Sequence, residues 1–118
     1  MTLRTWLPAV ALLLGGACAT DAASTTKAEN SMAAIRAAEE VGATHSPTAA
    51  LHLQLAKEQF EYARTMTHPD SRDRAERLRM RAQADAELSL ALARSENEKA
   101  EATSAIEKLK MLNQSAPQ

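Results

Sequence analysis

Few side chains in this 118-residue chain could do covalent or metal chemistry. A single cysteine, Cys18, stands in the stretch LLLGGACAT, and three histidines occupy positions 45, 52 and 68. A lone thiol cannot form a disulfide within its own chain, so Cys18 could act as a nucleophile, a metal ligand or a point of lipid attachment. The sequence around it distinguishes these three.

Cys18 follows a stretch with the three parts of an export signal. Residues 1–5 carry one positive charge, Arg4, residues 6–14 (WLPAVALLL) are apolar, and the small residues GGACA come next. The apolar run is too short to cross a hydrocarbon core of ~30 Å as a helix. It therefore predicts a signal peptide over residues 1–17 and argues against a permanent membrane span.

Two cleavage patterns compete at this point. The sequence ACA fits the ordinary A-x-A rule, which would release a soluble periplasmic or secreted protein that begins at Thr20. LGGAC resembles instead the bacterial lipobox, in which the cysteine becomes the first mature residue and its sulfur is acylated. The lipobox has an aliphatic residue where this chain has Gly15. We favour the lipobox, which predicts lipidation of Cys18. By the usual sorting rule, Ala19 in place of Asp implies the outer membrane, with the protein facing the periplasm.

The remaining polar residues form no recognisable catalytic or metal-binding set. His52 and His68 fall on one predicted helix ~24 Å apart, so they cannot share an ion. The sequence contains no Gly-rich phosphate loop, no H-E-x-x-H pair and no nucleophile elbow. We therefore expect no enzyme activity, no cofactor, no metal site and no small-molecule substrate.

Charge and composition indicate which class of protein this is and which partners are a poor match. Without the leader, thirteen Lys and Arg stand against fifteen Asp and Glu, and an exported acidic chain is a poor match for nucleic acid. Three glycines and four prolines leave room for long helices, and strong helix formers dominate from residue 28 onward. The composition predicts an all-α protein with a thin, alanine-rich core.

The mature chain begins with a polar stretch. Residues 18–30 show no apolar period and predict a flexible tether behind the lipidated cysteine. Apolar residues then recur at spacings of three and predict a first helix from about residue 28 to Val41, ended by Gly42. The helical domain as a whole is predicted over 31–112, with 113–118 as a tail.

A second helix is predicted between two prolines. Ser46 stands at its N-cap position and Pro47 at its first turn, and it stops near His68-Pro69, because proline disfavours helical geometry in the residue before it. Its apolar stripe has the 3,4 spacing of a heptad seam. The stripe consists of Leu53, Ala56, Phe60, Ala63 and Thr67.

A third helix is predicted over residues 72–112, after a cap at Asp70 or Ser71. Its inner stripe is predicted to be Leu78, Ala82, Asp85, Leu88 or Ser89, and Leu92. Residues 93–105 contain no large apolar side chain, and Ile106, Leu109 and Leu112 then recur at spacing three. At ~60 Å against ~30 Å for the second helix, the third helix must overhang. The prediction is an up-down-up antiparallel three-helix arrangement.

Two segments carry a resemblance to a known family: AAIRAAEEVGATHSPTAALHLQLAKEQF, residues 33–60, and RAQADAELSLALA, residues 81–93. Over residues 31–93 the chain resembles the DUF4398 family of small bacterial envelope domains. Ser89 stands where that family has alanine. The resemblance implies an envelope helical module, often with a lipoprotein signal, and implies no reaction.

Asp85 stands out because it lies on a stripe predicted to face inward. A buried carboxylate is costly unless it is paired or hydrogen-bonded. We expect it to form a buried polar pair with Arg36 or His52, or to bond backbone groups in the turn between Gly42 and Pro47.

Arginines crowd the start of the third helix, where positive charge opposes the helix dipole. Three of them share one face: Arg74, Arg77 and Arg81. Two interpretations stay open. One is a solvated face paired to glutamates of the other helices (Glu39, Glu40, Glu58 or Glu61), and the other is recognition of anionic lipid or polysaccharide.

These patterns together predict a non-catalytic, lipid-anchored envelope protein with a structural or adaptor role at the outer membrane. Its partner would be a second copy or another envelope protein, contacted through Ile106, Leu109 and Leu112. The alternative is a module that binds anionic lipid or polysaccharide through the arginine face.

Overall fold

Residues 19–115 form three α-helices in which consecutive helices run antiparallel. The computed structural model describes these residues, and the side chains of residues 25–115. α1 covers Ala19–Glu40, α2 covers Pro47–Thr65 and α3 covers Arg72–Ser115. Single 3-10 turns at Ala43–His45 and Pro69–Ser71 join them. The predicted all-α, up-down-up arrangement with a long third helix is confirmed.

The turn between α1 and α2 depends on Gly42. Its φ of +85° lies in the left-handed region, which is unfavourable for residues that carry a Cβ atom. A Cβ at this position would lie 2.9 Å from Nδ1 of His45. Ser46 occupies the predicted N-cap position of α2 with Pro47 behind it, but its hydroxyl makes no capping hydrogen bond.

The turn between α2 and α3 is organised by His68. Its ring nitrogen Nδ1 accepts the Asp70 N–H at 3.3 Å, and its carbonyl accepts the hydroxyl of Ser71 at 2.7 Å. Asp70 and Ser71 therefore lie within a 3-10 turn, and α3 begins directly after it.

α1 begins earlier than predicted, and the prediction of a flexible tether is wrong over residues 19–30. This stretch is helical from Ala19. Alanines within it are strong helix formers, and its second half is held to α3. Nζ of Lys27 lies 2.7 Å from Oε2 of Glu76, and the Ser31 hydroxyl lies 2.8 Å from the Arg79 carbonyl.

The Lys27–Glu76 pair makes the attachment of α1 depend on pH. The hydrogen bond and the positive charge of Lys27 lower the pKa of Glu76 below its ordinary value. The contribution of this pair is therefore complete above the ordinary carboxyl pKa, and it is lost as the pH falls through the lowered one.

The stripe predicted for α2 is confirmed over most of its length. Leu53, Ala56, Phe60 and Ala63 are buried, and Ala49 extends the same 3,4 spacing one turn towards the N-terminus. Thr67 lies beyond the end of α2 and is exposed.

The stripe predicted for α3 is confirmed at Ala82 and at Ser89, one of the two alternatives given for its position, but it is wrong at the larger residues, which are not buried. The buried residues are small, and they are Ala75, Ala82, Ala86, Ser89 and Ala93. Leu78, Asp85 and Leu92 are partly buried at the edges of this face, and Leu88 is exposed. The inner face of α3 therefore consists of alanine and serine, which let helix axes come close together.

Two fully buried serines tie the helices together through backbone carbonyls. Ser89 of α3 donates to the Ala49 carbonyl of α2 at 2.7 Å. The hydroxyl of Ser31 lies 2.8 Å from the carbonyl of Arg79 in α3 and 2.8 Å from that of Lys27 in its own helix. Both hydroxyls satisfy their hydrogen bonds without needing the space of a larger polar side chain.

We expect Ala82→Leu to lower the free energy of unfolding by about 1–3 kcal/mol, since there is no room for three more carbons at a fully buried position. Ala33→Leu adds the same atoms at an exposed position of α1 and should change stability by less than about 0.5 kcal/mol. Urea denaturation followed by circular dichroism measures both. Equal stability of the two variants would contradict close packing at position 82.

Candidate functional site

Asp85 is held by two side chains of α2 that lie two helical turns apart. Its Oδ1 lies 3.0 Å from Nδ1 of His52, and its Oδ2 accepts from Nε2 of Gln59 at 2.7 Å. An ionised carboxylate can only accept, so the first contact requires the imidazole proton on Nδ1. Both carboxylate oxygens are engaged, and the arrangement acts as a clamp between α2 and α3.

The structure selects one of the partners proposed for Asp85. His52 contacts it, whereas the guanidinium of Arg36 lies 3.4 Å from the sulfur of Met32. The side chains of Asp85 and His52 are 23% and 25% exposed, so the pair lies at the edge of the core and is not fully enclosed. Gln59 was not anticipated, although it stands seven residues after His52 and so on the same helix face.

Among residues with described side chains, Arg74, Arg77 and Arg81 make none of the ion pairs with glutamates of the other helices that the first interpretation required. Glu39 pairs with Lys57 at 2.5 Å, and Glu61 pairs with Arg64 at 3.0 Å within α2. Arg74 instead lies over the ring of Tyr62, 5.6 Å from its centroid. This is the distance of a cation–π contact.

Arg77 and Arg81 are exposed on the same side of α3 as Arg74. Neither makes an ion pair with any residue whose side chain the structure describes. Two guanidinium groups one helical turn apart are therefore available for anionic groups of another molecule.

The second half of α3 leaves the bundle and continues as a single helix to Ser115. From residue 96 onward every described side chain is exposed. Ile106, Leu109 and Leu112 are 53%, 61% and 66% exposed. Asn97 makes the last side-chain bond from α3 to the bundle that the structure describes, donating to the Val41 carbonyl at 3.1 Å.

Cys18 and the predicted signal peptide lie outside the described residues. Within the described part of the chain, no cluster of three or more His, Cys, Asp or Glu residues could hold a metal ion. None of the helices described here combines the length and apolar character needed to cross a membrane.

Comparison with known proteins adds no assignment, since no family model, no curated protein and no solved structure matches this chain. The resemblance to the DUF4398 family therefore stays a prediction.

We expect Asp85→Leu to lower the free energy of unfolding by about 1–3 kcal/mol, because it leaves His52 and Gln59 without their acceptor. Asp85→Asn keeps the shape but places an NH₂ group against one of two donors, so we expect a smaller loss of about 1 kcal/mol. Glu107→Gln, on the exposed part of α3, is the control and should have no effect. Unchanged melting temperatures for both Asp85 variants would rule out the clamp.

Proposed function

We propose that this chain is a non-catalytic, lipid-anchored protein of the bacterial envelope, with a structural or adaptor role at the outer membrane through helix–helix contacts. The observation that carries the proposal is the exposed second half of α3. A helix that presents Ile106, Leu109 and Leu112 to solvent, outside the bundle, is suited to binding another helix.

The membrane part of the proposal comes from the sequence around Cys18. Each buried CH₂ contributes ~0.8 kcal/mol, and a single acyl chain binds only reversibly. A lipoprotein cysteine that carries a diacylglyceryl group, often with a third chain, would anchor the protein stably. Because α1 begins at Ala19, the anchor would join a helix directly, with no flexible tether between them.

The polar groups that the fold brings together serve to hold helices. Asp85, His52 and Gln59 clamp α2 to α3, and Ser31 and Ser89 bond backbone carbonyls. This use of the polar side chains supports a structural role and gives no support to a reaction.

Truncation after residue 94 tests the adaptor role, because the buried residues of α3 end at Ala93. We expect the truncated chain to keep its helical melting transition and its palmitate label. It should lose the crosslinks that the full chain forms in intact cells with itself or another envelope protein. Mass spectrometry of crosslinked complexes is the measurement.

Cys18→Ala tests the lipid anchor, because it removes the sulfur that would be acylated. It should take up no palmitate and should not be recovered with the outer membrane. An unmodified mature chain that begins at Thr20, found free in the periplasm, would contradict the anchor. Unchanged crosslinking after truncation would contradict the adaptor role.

The second candidate is a module for anionic lipid or polysaccharide, and the exposure of Arg77 and Arg81 favours it. We expect Arg77→Gln/Arg81→Gln to reduce flotation with phosphatidylglycerol vesicles several-fold at low salt, and high salt to abolish the difference. Arg64→Gln removes an arginine already paired with Glu61 and is the control. Equal flotation of both variants would exclude this function.

A further inference from the structure

α3 carries two heptad patterns on opposite sides. The buried residues at 75, 82, 86, 89 and 93 define its inner face with spacings of 7, 4, 3 and 4. Continued beyond the bundle, the same positions are all small or polar. They are Glu96, Ala100, Thr103, Glu107, Lys110 and Gln114. The face that packs on α1 and α2 therefore does not continue as an apolar stripe.

Leu109 and Leu112 of the exposed half belong to a stripe on the other side of α3 whose 4,3 spacing can be followed back into the bundle, and Ile106 lies beside this stripe. We name this stripe the outer seam. Its members are Ala84, Leu88, Ala91, Ser95, Glu98, Ala102, Ala105, Leu109 and Leu112. Seven of these nine residues are apolar, and all are exposed except Ser95, which is partly buried.

We propose that the outer seam is the interface of an antiparallel dimer of this chain, in which α3 of one copy lies along α3 of the other. The proposal rests on the proposed function, since it names a second copy as the partner of the exposed helix. The exposed half of each copy would cover the outer seam on the bundle of the other.

The charges beside the seam carry the argument for a second copy. One edge of the seam has a residue every seven positions, and the sign alternates: Glu87, Arg94, Glu101 and Lys108. In an antiparallel coil the residues of this edge face the same edge of the partner. Arg94 then faces the partner's Glu101, and Glu87 faces the partner's Lys108. Twofold symmetry repeats each contact, which gives four ion pairs.

These edge charges are free to pair across the interface. Among residues with described side chains, Arg94, Glu101 and Lys108 make no ion pair. Glu87 accepts one hydrogen bond from Gln83 of its own helix at 2.8 Å. A carboxylate has further lone pairs and can accept from a lysine as well.

The same register opposes large and small residues across the seam. Leu88 faces the partner's Ala105, Ala84 faces the partner's Leu109, and Ala91 faces the partner's Ala102. At the ends, Leu112 lies against the aliphatic part of the partner's Arg81, and in the middle Ser95 faces the partner's Glu98. Alternation of this kind lets two helices pack closely without voids.

Other alignments bring like charges together. Sliding one copy by a heptad places Arg94 against the partner's Lys108 in one direction, and against the partner's Arg94 in the other. A parallel, in-register pair places Arg94 against the partner's Lys99 and forms no ion pair along this edge. The charge pattern therefore selects both the direction and the register.

The antiparallel arrangement separates the two ends at which anchors would attach. The N-terminal part of α1 lies beside the start of α3, as the Lys27–Glu76 pair shows. The N-terminal ends of the two α1 helices, which directly follow Cys18 in the sequence, would therefore lie at opposite ends of the dimer. If both anchors occupy one bilayer, the long axis of the dimer lies along the membrane.

Cysteine crosslinking of the full chain in detergent tests direction and register together. Ala91→Cys/Ala102→Cys should form a disulfide-linked dimer on mild oxidation, because these positions face each other. Ala91→Cys alone and Ala102→Cys alone should give no more dimer than the wild-type chain, which controls for Cys18. Dimer from Ala91→Cys alone indicates a parallel pair and overturns the proposal, as does the absence of extra dimer in all three variants.

A charge swap gives an independent measurement by sedimentation equilibrium in density-matched detergent. Arg94→Glu, and separately Glu101→Arg, should each raise the dimer dissociation constant about tenfold or more at low salt, because symmetry doubles every repulsive contact. The double variant should restore association to within about threefold of the wild type. Glu107→Arg makes the same change of charge on the inner face and should have little effect. A double variant as weak as the single ones would overturn the pairing.

Failure of this inference and failure of the proposed function give different results. If the full chain is monomeric in detergent while truncation after residue 94 still abolishes crosslinks to another envelope protein, the dimer is wrong and the adaptor role stands. If the chain dimerises as described but takes up no palmitate, the anchor is wrong and the dimer stands.

Discussion

The close approach of helix backbones through alanine and serine is the constraint on which this structure depends. At the inner face of α3 every buried side chain is alanine or serine, and Leu53 is the largest residue less than 2% exposed. Small side chains bury little area each, so contact must be made along the whole length of the bundle, which in α3 ends near Ala93. Ser89 and Ser31 strengthen this contact by bonding carbonyls of the neighbouring helix.

A core built of small residues leaves many larger apolar side chains on the surface. Leu51, Met80 and Leu88 are 55%, 58% and 44% exposed, although they lie on helices that take part in the bundle. In α3 this produces a helix with two usable faces. The inner face packs against α1 and α2, and the outer seam is available for association with another molecule.

The two ends of the molecule differ in chemistry. The beginning of α1 and the arginine-rich start of α3 lie together, so a lipid at Cys18 would bring anionic headgroups near Arg77. The other end is the single exposed helix. The lipid-binding candidate uses the arginines at the first end, and the adaptor candidate uses the exposed helix. A dimer through the outer seam would leave Arg74 and Arg77 outside the interface and would place Arg81 at its edge.

The sequence by itself determined the number of helices, their order and most of their ends. Gly42 and the two prolines mark turns because their backbone geometry disfavours a continuing helix, and the 3,4 spacing of α2 identified its buried face. The 19–30 stretch was predicted as a tether because its residues are small and polar. It is helical because Lys27 and Ser31 find partners on α3, which are distant in sequence.

The tertiary structure alone decided which side of α3 faces inward. The sequence left Leu88 and Ser89 as alternatives for one inward position. The structure buries Ser89, whose hydroxyl reaches the Ala49 carbonyl, and leaves Leu88 44% exposed. Burial of the face that contains Ser89 also determines where the other side chains of α3 lie. Asp85 lies at the edge of the core between His52 and Gln59, and Leu109 and Leu112 lie on the side of α3 opposite the buried face. A pattern of apolar residues along one helix gives the spacing of its faces, but only the neighbouring helices determine which face they cover.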